Sequence, residues 1–228
     1  MLKKTIILFL LLNIFSSCHK NTDNFISHRG SFVKLMITHN VKVCDKINCY
    51  QANDRASASG FAIWYDNTSH VLTAGHACSY EIPKGLETDG IKITIKTFIK
   101  ATDLRMKQYN LEVVKVSKED DLCLLKGDVN LWPMKISDKK PKIGDKVYNI
   151  GAPSGIFSKN MVPILEGIYS GDIRNMSAYT IPSMPGASGS PIVNKEGNLV
   201  GVLHSVHEDF DHFVLSPTLD RVNKFLDQ

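Results

Sequence analysis

Short apolar runs, separated by polar turn-forming residues, make up most of the chain. The runs are rich in Val and Ile and are bounded by Gly, Pro, Asn and Asp, which is typical of β-strands. Many short strands with turns between them predict an all-β sandwich or barrel. The predicted strands are residues 32–38, 60–65, 70–73, 91–99, 112–116, 122–126, 146–151, 164–168, 190–194, 199–204 and 211–215.

Helical periodicity is convincing only at the C-terminal end, at about 217–227. There the sequence Pro217-Thr218 opens a stretch whose apolar residues share one helical face. These residues are Leu219, Val222, Phe225 and Leu226. We expect this helix to pack on a barrel. A boundary between two halves, at about 32–130 and 142–216, is predicted where Trp132-Pro133 and a charged run interrupt the strands.

The first 17 residues have the layout of a secretory signal. Lys3 and Lys4 precede an apolar run, which is too short to span a bilayer comfortably and is followed at once by polar residues. The sequence Phe15-Ser16-Ser17-Cys18 resembles the lipobox of bacterial lipoproteins, in which cleavage leaves an acylated N-terminal cysteine. The alternative is cleavage near the serines with Cys18 unmodified. We expect an exported protein, either secreted or anchored in the cell envelope (periplasm or outer membrane) through a lipid on Cys18, with 18–31 as a tether.

Composition narrows the functional classes only slightly. The chain has 228 residues, of which 43% are hydrophobic and 22% charged, so it is long and apolar enough to fold around a real core. Its net charge of +4 falls to +2 if Lys3 and Lys4 leave with the signal. So small a charge gives no indication of a nucleic-acid partner.

Four cysteines remain once Cys18 is set aside, and export would place them in an oxidising compartment. Cys44 and Cys49 flank a predicted turn, where a bridge is sterically easy but closes only a small loop. Cys123 lies between two leucines of an apolar strand and is interpreted as a small buried hydrophobic residue. The pairing among these three and Cys78 cannot be deduced from the sequence.

Two motifs supply a histidine and a carboxylate. An apolar strand runs into a turn of small residues that presents His76, and an imidazole there can act as a general base because it ordinarily titrates near neutrality. The acidic pair Asp120-Asp121 enters a second apolar strand. We prefer Asp121 for chemistry because it directly precedes that strand, and alternation directs its neighbour elsewhere. Each motif alone also fits a structural role, as a buried histidine or a solvated turn.

The third motif, Pro185-Gly186-Ala187-Ser188-Gly189-Ser190-Pro191, is the most specific. Its glycines allow a tight turn on which Ser188 stands exposed. The same turn can direct the N–H groups of Gly186 and Ser188 at a developing oxyanion, where each donor is typically worth roughly 2.7–4 kcal/mol. A plain glycine-rich loop is the alternative interpretation.

Taken in order, the three motifs resemble those of the chymotrypsin-like (trypsin-fold) serine proteases. The resemblance covers about residues 58–225. The sequence Gly189-Ser190-Pro191 is most similar to the compact bacterial branch that includes glutamyl endopeptidases, and residues 142–151 resemble a strand of the heat-shock-type members. The matching motifs are Ala74-Gly75-His76, Asp121-Leu122-Cys123-Leu124-Leu125 and Gly186-Ala187-Ser188-Gly189-Ser190-Pro191.

This resemblance implies a fold of two six-stranded antiparallel β-barrels with the site in the cleft between them. It also implies that Ser188 attacks a peptide carbonyl, that His76 takes and returns its proton, and that Asp121 orients the imidazole. The oxyanion hole would consist of the Gly186 and Ser188 N–H groups. No metal or organic cofactor is expected, and the partner is a protein or peptide substrate of a monomeric enzyme.

The pocket for the side chain before the cleaved bond is predicted from position alone. Its walls would be Pro182, Ser183, Leu203, His204 and Ser205. Without a carboxylate there, cleavage after Lys or Arg is unsupported. Cleavage after Glu is also unsupported, because the histidine of glutamate-specific relatives falls on Leu203. The lining favours a small or apolar side chain.

One departure from the family pattern leaves a second function open. The sequence Met184-Pro185 precedes the glycine of the serine motif, and a proline there removes one N–H donor and restricts its predecessor. Such a loop could rest in an inactive peptide orientation. The alternative to an exported serine endopeptidase is therefore a catalytically silent protein of the same fold that binds peptides or protein partners.

Overall fold

Six antiparallel strands form a closed barrel in the first half of the chain. The computed structural model describes residues 24–82, 90–207 and 210–227, so the predicted signal at 1–17 and the tether up to residue 23 lie outside the described residues. The strands are β1 (Phe32–Cys44), β2 (Cys49–Tyr65), β3 (Thr68–Ala74), β4 (Lys92–Asp103), β5 (Gln108–Ser117) and β6 (Leu122–Lys126). They close in the order β1-β2-β3-β6-β5-β4. Each predicted strand of this half is present.

Strands β1 and β2 are much longer than the sequence predicts. They pair without interruption from Phe32 opposite Phe61 to Cys44 opposite Cys49, and β1 also pairs with β4 along nearly its whole length. On β2, residues 49–56 are all exposed. Since neither face of this extension is buried on β2, its side chains have no reason to alternate between apolar and polar. The pairing there satisfies backbone hydrogen bonds instead.

Seven strands form a curled, open sheet in the second half. They are β7 (Lys146–Ile150), β8 (Ile164–Ile173), β9 (Met176–Tyr179), β10 (Pro191–Val193), β11 (Leu199–Val202), β12 (Ser205–His207) and β13 (Phe210–Pro217). Their order is β11-β10-β7-β8-β9-β13-β12. The all-β prediction is confirmed, but this unit is a half-barrel and not the second closed six-stranded barrel that was expected. The short strands β9 and β12 were not predicted.

The two halves share an apolar core that the C-terminal helix helps to cover. Helix α1 (Leu219–Asp227) begins two residues after the predicted start, and its residues Leu219, Val222 and Phe225 are buried. Within the described part of the chain, no helix has the length and apolar character needed to cross a bilayer. The shared core joins the helix to side chains of both halves, including Phe32, Phe61, Leu72, Ile150, Val193 and Leu199.

Two disulfides cross-link the first barrel. Cys44–Cys49 closes the end of the β1–β2 hairpin, and Cys78–Cys123 joins the turn after β3 to β6. Cys123 is fully buried among apolar residues, as the sequence predicts, and the pairing that the sequence leaves open is with Cys78. The second bridge spans 45 residues and the first only 5. On a chain-entropy model they contribute about 4 and about 2 kcal/mol respectively.

The loop that carries Ser188 is fastened to the first barrel through Ser59, which is fully buried in β2. The Ser59 N–H donates to the Ser188 carbonyl (2.9 Å), and the Ser59 hydroxyl donates to the Gly186 carbonyl (2.8 Å). The same hydroxyl accepts from the Ala152 N–H (3.0 Å). One buried side chain thus ties the first barrel to two loops of the second half.

Gly189 allows this close approach, and its replacement tests the junction. Its φ is +81°, and a Cβ there would lie 2.1 Å from Thr73 Oγ1 and 2.4 Å from the Ser59 carbonyl oxygen. We expect Gly189→Ala to lower the free energy of unfolding by more than about 3 kcal/mol in urea denaturation, because strain and overpacking add. Gly144→Ala is the matched control, since Gly144 also has a positive φ (+93°) but open space around it. That control should lose only about 1–2 kcal/mol, and equal losses in the two variants would contradict the account of the junction.

Candidate active site

His76 lies in a short 3-10 turn, Gly75–Ala77, directly after β3. The turn sits against the backbone at the start of β6, where the Gly75 N–H donates to the Asp121 carbonyl (2.8 Å). A Cβ on Gly75 would lie 3.0 Å from the Asp121 carbonyl carbon. The small residue before the histidine therefore lets the two segments approach closely.

Asp121 holds His76 at two points. One carboxylate oxygen, Oδ2, is 2.8 Å from His76 Nδ1, and the other, Oδ1, accepts from the His76 backbone N–H (2.6 Å). The Asp121 backbone has φ +49°, a left-handed conformation that ends the turn before β6. Asp120, in contrast, contacts Ser117 and Arg221. The structure thus brings Asp121, and not its neighbour, to the imidazole.

A second imidazole shares the same carboxylate oxygen. His204 Nδ1 is 2.5 Å from Asp121 Oδ2, and the rings of His204 and His76 lie edge to face with centroids 6.3 Å apart. His204 is predicted to line the substrate pocket, whereas its ring contacts Asp121. One feature of the sequence could have indicated that His204 does not line the pocket. Adjacent residues of an extended segment face opposite ways, so Leu203 and His204 cannot both face the pocket.

The shared carboxylate changes the ionisation of the site. The hydrogen bond to Asp121 raises the pKa of His76, although burial opposes that change. Burial also works to raise the pKa of Asp121, but the hydrogen bonds from His204 and His76 outweigh it and hold the pKa of this carboxyl well below its ordinary value. Asp121 is therefore an anion that accepts hydrogen bonds, and each imidazole must carry its proton on Nδ1 to donate one.

Ser188 stands half-buried on the turn that follows Gly186. Among the described residues, the Ser188 hydroxyl makes no hydrogen bond, either to His76 or to another group. The N–H groups of Gly186 and Ser188 likewise donate to no protein acceptor within this part of the chain. Two unpaired backbone donors therefore flank a free hydroxyl.

The orientation of the peptide between Pro185 and Gly186 is fixed by a neighbouring loop. The Ser154 N–H donates to the Pro185 carbonyl (2.7 Å), and this peptide bond is trans. The C=O and N–H of a trans peptide point in opposite directions. The Gly186 N–H is consequently directed away from the loop that contains Ser154. Gly186 has φ +100°, and a Cβ there would lie 2.8 Å from the Ala152 carbonyl oxygen.

The other predicted pocket residues differ widely in exposure. Leu203 is buried in the core of the second sheet. Ser183 is also buried, and its hydroxyl has no hydrogen-bond partner among the residues that the structure describes. Pro182 and Ser205 are half-buried. Of the five predicted wall residues, therefore, only Pro182 and Ser205 combine partial exposure with a side chain that is not bound to Asp121.

Solved structures with a similar fold are proteases. The active form of the Rv3671c protease from M. tuberculosis superposes with a TM-score of 0.65 at 16% identity, covering 90% of this chain and 84% of that one. A serine endoprotease from Yersinia pestis gives 0.65 at 20% identity, over 92% of this chain and 66% of its own. An HtrA-type protease, AlgW with a tripeptide, gives 0.64 at 17% identity, over 88% and 60%. These likenesses establish the fold, and they do not confirm the expected kinship with glutamyl endopeptidases.

The sequence of this chain matches the model of one protein family. No curated protein matches the chain significantly. The model of the trypsin-like peptidase domain matches residues 58–202, which include His76, Asp121 and Ser188 and make up well over half of the chain. Together with the fold, this match shows that the chain belongs to the family of trypsin-like peptidase domains.

Proposed function

We propose that this protein is a serine endopeptidase in which His76, Asp121 and Ser188 form the catalytic triad. The observation that carries the proposal is the two-point contact between Asp121 and His76, which fixes both the orientation and the tautomer of the imidazole. With its proton on Nδ1, the ring offers Nε2 as the base. His76 then takes the proton of Ser188 as Oγ attacks the scissile carbonyl, and returns it to the leaving amine.

The free N–H groups of Gly186 and Ser188 would stabilise the oxyanion of the tetrahedral intermediate. Ser59 supports them indirectly, because it holds the carbonyl groups of the same two residues at 2.8 and 2.9 Å. Fixed donors need no reorganisation as charge develops, which is why such groups stabilise a transition state more than water does. Proline at position 185 is compatible with this arrangement, since its carbonyl is directed to Ser154.

One observation favours the second candidate, a peptide-binding protein that does not cleave. The Ser188 hydroxyl has no hydrogen bond to His76 in the described structure. Catalytic hydrogen bonds are, however, often long in the free enzyme and tighten when substrate binds. Rotation about a single side-chain bond of Ser188 changes the position of Oγ, so we retain hydrolysis as the proposal.

The nucleophile is tested by Ser188→Ala. We expect this variant to lose casein hydrolysis and labelling by a fluorophosphonate, because both require attack by this hydroxyl, while its melting temperature stays close to that of the wild type. Ser79→Ala is the matched control: Ser79 lies three residues from His76, but its hydroxyl donates to the Gly75 carbonyl (3.3 Å). Labelling that survives in Ser188→Ala would refute the assignment. A folded wild type that resists the probe would support the silent binder.

The support of the oxyanion hole is tested by Ser59→Ala. Loss of the hydroxyl removes the hydrogen bonds to Gly186 and Ala152, so we expect kcat to fall about tenfold with little change in KM. This is less than the roughly 10²–10³-fold lost when an oxyanion donor itself is removed. Ser57→Ala, two residues earlier on the same strand, should keep full activity. A Ser59→Ala enzyme with unchanged kcat would show that the loop holds its shape without this contact.

We also propose that the protein is exported and held at a membrane by a lipid on Cys18. The basic start, the apolar run and the motif Phe15-Ser16-Ser17-Cys18 support this proposal. Cys18→Ser should move the protein from the membrane fraction to the soluble fraction, as followed by immunoblotting, because the acyl chains supply the binding energy. Membrane retention of the Cys18→Ser variant would count against lipidation.

A further inference from the structure

Three metal-ligating side chains converge at the candidate active site, and His204 is the member that hydrolysis does not use. His76, Asp121 and His204 each offer a donor atom within 4.8 Å of the others. We propose that these three residues bind a zinc ion, and that zinc bound there inhibits the hydrolysis. The inhibitory part rests on the proposed function, whereas the binding site does not.

The donor set selects the metal. Two imidazole nitrogens and one carboxylate oxygen are ligands that zinc takes readily, with a fourth position left for water. Magnesium and calcium prefer oxygen ligands throughout, so neither should compete. In a tetrahedral site with metal–ligand bonds of about 2.0–2.2 Å, neighbouring donor atoms lie about 3.3 Å apart. The two nitrogens now lie 2.8 and 2.5 Å from Asp121 Oδ2, so each of these two distances must open by less than about 1 Å. All three donor atoms already lie within 4.8 Å of one another.

Zinc binding requires the His76 and His204 rings to move, and both rings are more exposed than the Asp121 carboxylate. The side chains of His76 and His204 are 51% and 32% exposed, whereas that of Asp121 is only 13% exposed. Asp121 is further fixed by the His76 backbone N–H, and the disulfide Cys78–Cys123 joins the segments that carry His76 and Asp121. The two partly exposed rings, and not the carboxylate, would therefore make the shift that an ion requires.

Zinc would inhibit through the tautomer of His76. A neutral imidazole carries one ring proton, which the hydrogen bond to Asp121 keeps on Nδ1. When Nδ1 instead donates its lone pair to zinc, that proton must reside on Nε2, having moved through solvent. Nε2 is then a donor and cannot accept the proton of Ser188. The metal therefore blocks the base without touching the nucleophile or the substrate.

His204 belongs to the proposed zinc site but not to the proposed triad, so its replacement tests the zinc site separately. Without its imidazole, only two donors remain. Titration calorimetry with zinc chloride is best done on two proteins, the Ser188→Ala variant, which cannot digest itself, and the Ser188→Ala/His204→Gln double variant. We expect one zinc per chain, no competition by magnesium, and an affinity at least about tenfold weaker with His204→Gln. His204→Ser provides a second variant should the first prove unstable.

His28→Gln is the matched control, because the His28 ring packs against Gly197 and is not among the three grouped donors. It should leave zinc affinity unchanged. Histidine NMR spectra of the Ser188→Ala chain should lose both Nδ1–H signals as zinc is added. Equal zinc affinity with and without His204, or Nδ1–H signals that persist at saturation, would overturn the site.

Inhibition is measured separately on the wild type, as the rate of fluorophosphonate labelling with and without zinc. We expect zinc to slow labelling, and to slow it less in His204→Gln than in His28→Gln. Labelling that zinc does not change at saturation overturns the inhibitory role. A wild type that is not labelled even without zinc contradicts the proposed function instead, and the calorimetry still decides whether the metal site exists.

Discussion

The structure depends on the contact between the serine-bearing loop and strand β2. The backbone N–H, the hydroxyl and the carbonyl of Ser59 all form hydrogen bonds, and their partners lie in three different segments. Gly189 has no side chain that would hold those segments apart. Because the groups are buried, each of these hydrogen bonds would cost free energy if left unmade. The two halves are therefore joined by a few polar contacts of defined geometry in addition to their shared apolar core. Apolar packing alone would tolerate sliding, whereas these contacts do not.

A second constraint acts where the first barrel meets the segment after β11, because one carboxylate there binds two imidazoles. Asp121 accepts from His76 and His204 at the same oxygen, so the position of each ring depends on the same carboxylate. The candidate base is therefore coupled to a neighbour that the usual three-residue description of such a site does not contain.

Much of this architecture can be predicted from the sequence where local patterns agree with tertiary burial. Strand β6 spans Leu122–Lys126, the segment that its apolar run predicts, and the buried face of α1 is the one that its periodicity indicates. The β1–β2 extension escaped prediction because its exposed residues on β2 carry no alternation. The open second sheet could not be foreseen either, since closure depends on how strands curl and not on where they begin.

The candidate site also contains residues that the sequence predicts and residues that it does not. His76, Asp121 and Ser188 stand out because small residues and apolar strands surround them in sequence. His204 does not, because its contact with Asp121 spans 83 positions and arises only when β6 and the segment after β11 meet. The Cys78–Cys123 pairing is similar, as nothing in the chain between the two residues indicates it.

That disulfide lies two residues beyond both His76 and Asp121, so the base and its carboxylate are neighbours of the same covalent clamp. The bond therefore limits how far the segments that carry the imidazole and the carboxylate can separate. A chain with free thiols lacks that clamp, so its imidazole and carboxylate are held together by non-covalent contacts alone.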